Sequence, residues 1–139
     1  ISRQVHLMFM LNILGTTQTT IFNRNITKEL LDKYSNEFPN KKEVIGKVER
    51  VCEYILELNF KPGSYWFNKA NVFSLIVALY KNVSYCNPAF IELHKQGFEK
   101  FEKNTPEEYK IAAKEGVNNK KERLIREEYI LNILKSVEG

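Results

Sequence analysis

The chain has 139 residues, 43% of them hydrophobic and 12% aromatic, with 21 Lys/Arg against 17 Asp/Glu and a formal net charge of +4. A chain of this length is the usual size of one domain, and burying roughly two-thirds of its unfolded surface lets it fold without a disulfide or metal staple. Residues 1–100 hold 13 basic against 9 acidic side chains and residues 101–139 hold 8 against 8. The long block of one sign that marks a nucleic-acid tail is therefore excluded.

Residues 2–14 place Val5, Met8, Leu11 and Leu14 at helical spacing, and Gly15 ends the run. This opening lacks the basic start and small-residue cleavage site of a signal peptide. Ile1 is not a Met, so the chain is expected to begin inside a longer protein or after a removed tag. Residues 16–20 read as a loop. A second helix is expected over about 27–38, with Leu30, Leu31, Tyr34 and Phe38 on one side and Pro39 as its stop.

The third helix has the clearest pattern of the first half. Asn40 and Glu43 stand at capping-box spacing, and Val44, Val48, Val51, Ile55 and Leu58 then recur at steps of three and four. Lys61-Pro62-Gly63-Ser64 breaks it. The aromatic run Tyr65-Trp66-Phe67 follows, flanked by Lys61 and Lys69. It suits either stacking on nucleotides or filling the core, and the core is favoured because residues 70–82 are apolar nearly all round. That segment is expected to be the central helix. Its apolar stretch, residues 72–80, is too short for a bilayer span of about 20 residues.

Asn87-Pro88 predicts the next helix start, running to about Lys103 with Phe90, Leu93, Phe98 and Phe101 inward and Gly97 as a place to bend. Thr105-Pro106-Glu107-Glu108 predicts a capped short helix ending at Gly116. The last helix starts after Asn118 or Asn119, with Asn119 and Glu122 at capping-box spacing. It carries Leu124, Ile125, Tyr129, Ile130, Leu131, Ile133, Leu134 and Val137. The fold class that follows is all-α: one domain over 1–139, an irregular bundle of about seven helices around the apolar central helix at 70–82.

The search for chemistry returns little. His6 and His94 stand far apart with no neighbouring ligands, so no metal and no cofactor is expected, and both read as helix histidines beside apolar stripes. Cys52 and Cys86, assigned to different helices without CxxC spacing, read as reduced thiols in a cytoplasmic protein. The pairs Glu53/Glu57 and Glu107/Glu108 read as a solvated flank and a cap, not as an acid–base pair, and no catalytic residue is assigned. Residues 114–126 are the most singular segment, with five basic against two acidic residues. Gly116 and the asparagines suit a tight loop, and N–H groups opening the last helix face anions. Lys114, Asn118, Asn119, Lys120, Lys121, Arg123 and Arg126 are thus candidates for binding a polyanion. The competing reading pairs Arg123 with Glu127 and Arg126 with Glu122, leaving only a helix start, and it is the favoured one.

The run Gly116-Val117-Asn118-Asn119-Lys120-Lys121-Glu122-Arg123-Leu124-Ile125-Arg126, leading into Ile130-Leu131-Asn132-Ile133-Leu134, resembles the closing motif of GmrSD-type proteins. These are prokaryotic restriction and anti-phage factors with a ParB-like N-terminal domain. The segment from Phe67 through Asn68-Lys69-Ala70-Asn71 to Tyr80 resembles a second segment of that family, in the expected order. The family's Asp-Gly-Gln-Gln-Arg-like signature and the His-rich site of its HNH-type modules are missing from this chain. The resemblance therefore implies a helical accessory domain that supports a nuclease or nucleotide-hydrolysing ParB-like domain, or contacts nucleic acid, with no active site of its own. Its partners would be other domains of the same protein, with nucleic acid second and no membrane. The rival class is a self-contained protein-interaction domain, and an independent hydrolase has the least support.

Overall fold

The structure is a computed structural model that describes residues 41–138, so the helices expected over 2–14 and 27–38, the caps at Asn40 and Gly15, and His6 lie outside the described residues. The described residues form five α-helices and no strand: α1 (Lys41–Leu58), α2 (Lys69–Lys81), α3 (Ile91–Lys103), α4 (Glu107–Ala112) and α5 (Lys120–Lys135). Short 3-10 turns at Tyr65–Phe67, Val83–Tyr85, Pro88–Phe90 and Ser136–Glu138 join or end them.

In α1, Val44, Val48, Val51 and Leu58 are buried as their spacing requires, with Tyr54 on the same side and Ile55 half-buried. The helix stops where Asn59 takes a left-handed φ of 52°, a conformation that asparagine tolerates better than most residues. A turn then closes by a hydrogen bond from the Ser64 N–H to the Lys61 carbonyl. Gly63 sits at its third position with φ 82°, a geometry that only glycine adopts without strain, and Pro62 pre-sets the second.

Asn68 opens α2, its side chain accepting from the Ala70 N–H. Asn71 and every residue from 73 to 80 are buried, so this helix meets neighbours on nearly all sides. It packs most extensively on α5 and also on α1 and the Tyr65–Phe67 turn. Asn87 caps the Pro88–Phe90 turn by accepting from the Ala89 N–H, and α3 then runs unbroken through Gly97. A Cβ at Gly97 would stand 3.0 Å from Cγ2 of Ile133, so glycine permits the close approach of α3 and α5 there.

An aromatic layer forms one part of the core, beside the aliphatic residues of α1, α2 and α5. Trp66 is fully buried, with ring centroids 4.9 Å from Phe98 and 5.6 Å from Phe101. Phe101 stands 5.0 Å from Tyr109, and Tyr109 stands 5.8 Å from Tyr129. The indole Nε1 donates to the Phe98 carbonyl at 2.9 Å, which satisfies the one polar atom that burial would otherwise leave unpaired. The aromatic run is thus divided: Trp66 fills the core while Phe67 is 50% exposed.

Several expectations are corrected. Leu93 and Leu124 point outward, 52% and 46% exposed, because the inward stripe of α3 runs through His94 and Phe98 and that of α5 through Arg123, Arg126, Ile130 and Leu134. Thr105 does not cap α4. Its hydroxyl donates back to the Phe101 and Glu102 carbonyls and closes α3, where orphan carbonyls need donors. Asn119 stands at the N-cap of α5 without a side-chain capping bond. Cys86 lies just past the Val83–Tyr85 turn and not in a helix; it and Cys52 are free thiols.

Trp66→Ala is expected to lower stability by about 3–5 kcal/mol through the cavity it leaves. Urea unfolding followed by circular dichroism measures this, and a loss under about 1 kcal/mol would contradict the central role of the indole.

Candidate functional site

The segment that the sequence singled out, residues 114–126, folds around one side chain. Arg126 is 1% exposed and spreads its guanidinium over three acceptors. Nε donates to Ser74 Oγ of α2 at 2.8 Å, one terminal nitrogen to the Ala112 carbonyl at 2.6 Å, and the other to the Val117 carbonyl at 2.9 Å. The planar fork suits the task, because it reaches three directions at once with fixed angles. Ala112 is the last residue of α4, so its carbonyl is one of the orphans of a helix end. Burial pushes the Arg126 guanidinium down to about 10, with the nearby Glu122 carboxylate opposing that shift. It stays cationic at neutral pH.

Arg123 lies one turn earlier, 3% exposed, with its guanidinium carbon 4.5 Å from the centre of the Phe73 ring and one nitrogen 3.5 Å from Asn118 Oδ1. A guanidinium over an aromatic face is a cation–π contact, stronger where water is excluded. Desolvation lowers its affinity for the proton as well. Gly116 turns the loop with φ 58°, and the Asn119 N–H closes it onto the Gly116 carbonyl at 2.8 Å. A Cβ at Gly116 would stand 2.8 Å from a Glu122 carboxylate oxygen and 2.9 Å from the Asn119 side chain. The left-handed backbone is what disfavours larger residues there, since the side-chain ends of Glu122 and Asn119 can move aside.

A second buried polar chain adjoins this clasp. The Tyr109 hydroxyl donates to Asn71 Oδ1 at 2.7 Å, and Asn71 Nδ2 donates to the Tyr65 carbonyl at 2.9 Å. Burial raises the Tyr109 phenol well above its ordinary value, so it remains a neutral donor.

The seven candidate residues therefore divide. Arg123 and Arg126 turn inward, while Lys114, Asn118, Asn119, Lys120 and Lys121 are exposed. The lysines do not converge on one hollow. Lys114 borders a shallow depression with Tyr65, Asn68, Glu102 and Lys110. Lys120 and Lys121 line an open groove with Glu108, Leu124, Ile125 and Glu128.

His94 is a further buried ionisable group, fully enclosed by Tyr54, Tyr85, Phe90 and Phe98. Its Nε2 lies 3.0 Å from the Leu134 carbonyl, which can only accept, so Nε2 carries the proton. Nδ1 then accepts from the Tyr54 hydroxyl at 2.6 Å. Desolvation lowers the imidazole below its ordinary value, partly opposed by the bond to Leu134. Periodicity alone placed His94 beside an apolar stripe. The signal that could have placed it inside is its position one turn before Phe98 on the same face. Among the described residues, no group of three His, Cys, Asp or Glu side chains could hold a metal ion.

Three outcomes follow for this region. Arg126→Ala leaves two carbonyls and a hydroxyl buried without donors and is expected to cost about 3–5 kcal/mol, with Arg126→Lys failing to restore most of it. Lys120→Ala and Lys121→Ala should each shift the urea midpoint by no more than about 0.5 kcal/mol equivalent. Because the folded-state His94 pKa is lowered, the unfolded chain binds the extra proton first, so stability falls as pH drops below the unfolded value of about 6.5. Urea midpoints at about pH 7.5 and pH 5.5 should differ less in His94→Gln than in the parent chain. Equal differences would refute the linkage.

No family model matches this chain, and comparison with curated proteins and with solved structures finds no match either.

Proposed function

We propose that this chain is a non-catalytic helical accessory domain of a cytoplasmic prokaryotic protein of the GmrSD type, a restriction or anti-phage factor. In it the domain supports a ParB-like catalytic domain and makes a secondary contact with nucleic acid. The observation that carries the reading is the Arg126 clasp. The one side chain best suited to grip a phosphate is spent on Ser74, Ala112 and Val117, so the segment with the family resemblance acts as framework. The free thiols of Cys52 and Cys86 fit a reducing compartment. Among the described residues no helix is long and apolar enough to cross a membrane. The periodicity of residues 2–14 and 27–38 supports two further helices, which would complete a bundle of about seven around residues 70–82.

A nucleic-acid contact on this domain would rest on the exposed Lys114, Lys120 and Lys121, flanked by Asn118 and Asn119. Arg123 and Arg126 would hold the loop that presents them. A second reading, a self-contained protein-interaction domain, is favoured by a different observation: Leu56, Phe67, Leu93, Ile111 and Leu124 stand 46–76% exposed.

Fluorescence anisotropy with labelled duplex DNA tests the nucleic-acid arm. Affinity is expected to fall with salt at a logarithmic slope of about −0.9 per phosphate neutralised, and Lys114→Ala/Lys120→Ala/Lys121→Ala should reduce that slope by about 2–3 while leaving the circular dichroism spectrum unchanged. A triple variant that binds as the parent does would overturn it. The reading frame upstream of Ile1 tests the family: a ParB-like domain is expected there, and an unrelated sequence would remove the resemblance as an argument.

A further inference from the structure

The outward face of α5 has a pattern that the core does not use and of which the polyanion reading uses only the lysines. At about 100° per residue, Lys121, Leu124, Ile125 and Glu128 share one face of the helix. The buried stripe of Arg123, Arg126, Ile130 and Leu134 lies on the other. Leu124 is 46% exposed, Ile125 is half-buried, and Lys121 and Glu128 are exposed. Together with Lys120 and Glu108 they form an open groove along α4 and α5. The order along the helix is basic, apolar, apolar, acidic.

That order is its own complement when reversed. Positions 121 and 128 are equidistant from the midpoint between 124 and 125. A second α5 laid antiparallel across this midpoint sets each Lys121 against the other copy's Glu128, and each Leu124 against the other copy's Ile125. Such a contact is isologous, the arrangement that a two-fold axis requires, and helices pair at a shallow angle when their side chains repeat at steps of three and four. A parallel pairing would set Lys121 on Lys121 and Glu128 on Glu128.

We propose that the outward face of α5 is a two-fold docking surface whose occupant is a second copy of this chain, with Leu124 and Ile125 at the axis and Lys121–Glu128 pairs at either side. This goes beyond the accessory-domain reading and does not depend on it.

Sedimentation equilibrium and light scattering on the intact chain test it. A monomer–dimer equilibrium is expected, and Leu124→Glu should make the chain monomeric with its helical spectrum retained. Lys121→Glu alone and Glu128→Lys alone each place like charges across the axis and should weaken association about tenfold. The double variant Lys121→Glu/Glu128→Lys should recover it. Mixing the two single variants should give a heterodimer in preference to either homodimer. A parent chain that stays monomeric up to about 1 mM, or a dimer indifferent to Leu124→Glu, overturns the proposal. Single reversals that weaken association without recovery in the double variant overturn the antiparallel register. Because Lys114 borders a different depression from the docking face, Lys114→Ala should weaken DNA binding without altering dimerisation, so the two can fail separately.

Discussion

The described structure depends on a buried cation. Arg126 is withdrawn from water without a carboxylate in direct hydrogen-bonding contact, and such burial costs several kcal/mol unless the surrounding dipoles replace the lost hydration. Two carbonyls and a hydroxyl do so here, and they come from three places: α2, the end of α4 and the following loop. One side chain thereby fixes the position of four segments relative to one another. Satisfied networks of this kind specify a single arrangement, and half-satisfied ones are worse than none. The neighbouring bonds obey the same logic, since Tyr109 and Asn71 tie α4 to α2 and to the Tyr65 carbonyl.

The other end of α5 is fixed by a neutral group. His94 links the Tyr54 hydroxyl of α1 to the Leu134 carbonyl, and Tyr85 reaches Glu138 at 2.6 Å to hold the final turn. Between these anchors the Trp66 layer supplies the bulk apolar contact, and the missing Cβ at Gly97 lets α3 and α5 close on each other. Polar anchors at both ends with apolar filling between them make α5 a fully registered helix. A purely greasy contact could slide by a turn.

What the sequence made legible was apolar periodicity and punctuation. The α1 stripe, the turn at Pro62-Gly63, the buried run of α2 and the start at Asn87-Pro88 follow from rules that depend on neighbours three or four residues away. What it hid was which polar residues are buried. Arg123 and Arg126 read as polyanion candidates or, in the favoured reading, as partners of Glu127 and Glu122, because a residue's type gives the cost of burying it and says nothing of whether distant acceptors are waiting. Ser74 is 52 positions from Arg126. Once the arginines occupy the inner face of α5, Leu124 must turn outward, so one hidden fact produced two misplacements. Thr105 and Asn119 show the same limit at close range. Their spacing permits a cap, but Thr105 serves the preceding helix and Asn119 makes no such bond.

The reach of Arg126 also bears on the order of events during synthesis. Its three acceptors, at positions 74, 112 and 117, leave the ribosome before it does, and chains emerge at roughly 5–20 residues per second. The Ser74 hydroxyl of α2 is thus made 52 residues, roughly 3–10 s, ahead of the donor that seals it, and the Ala112 carbonyl 14 residues, roughly 1–3 s, ahead. Until α5 arrives, these groups need water, and a tightly collapsed intermediate is disfavoured in this region. Closure of the Arg126 clasp therefore waits on the arrival of the last helix, after its acceptors are already made.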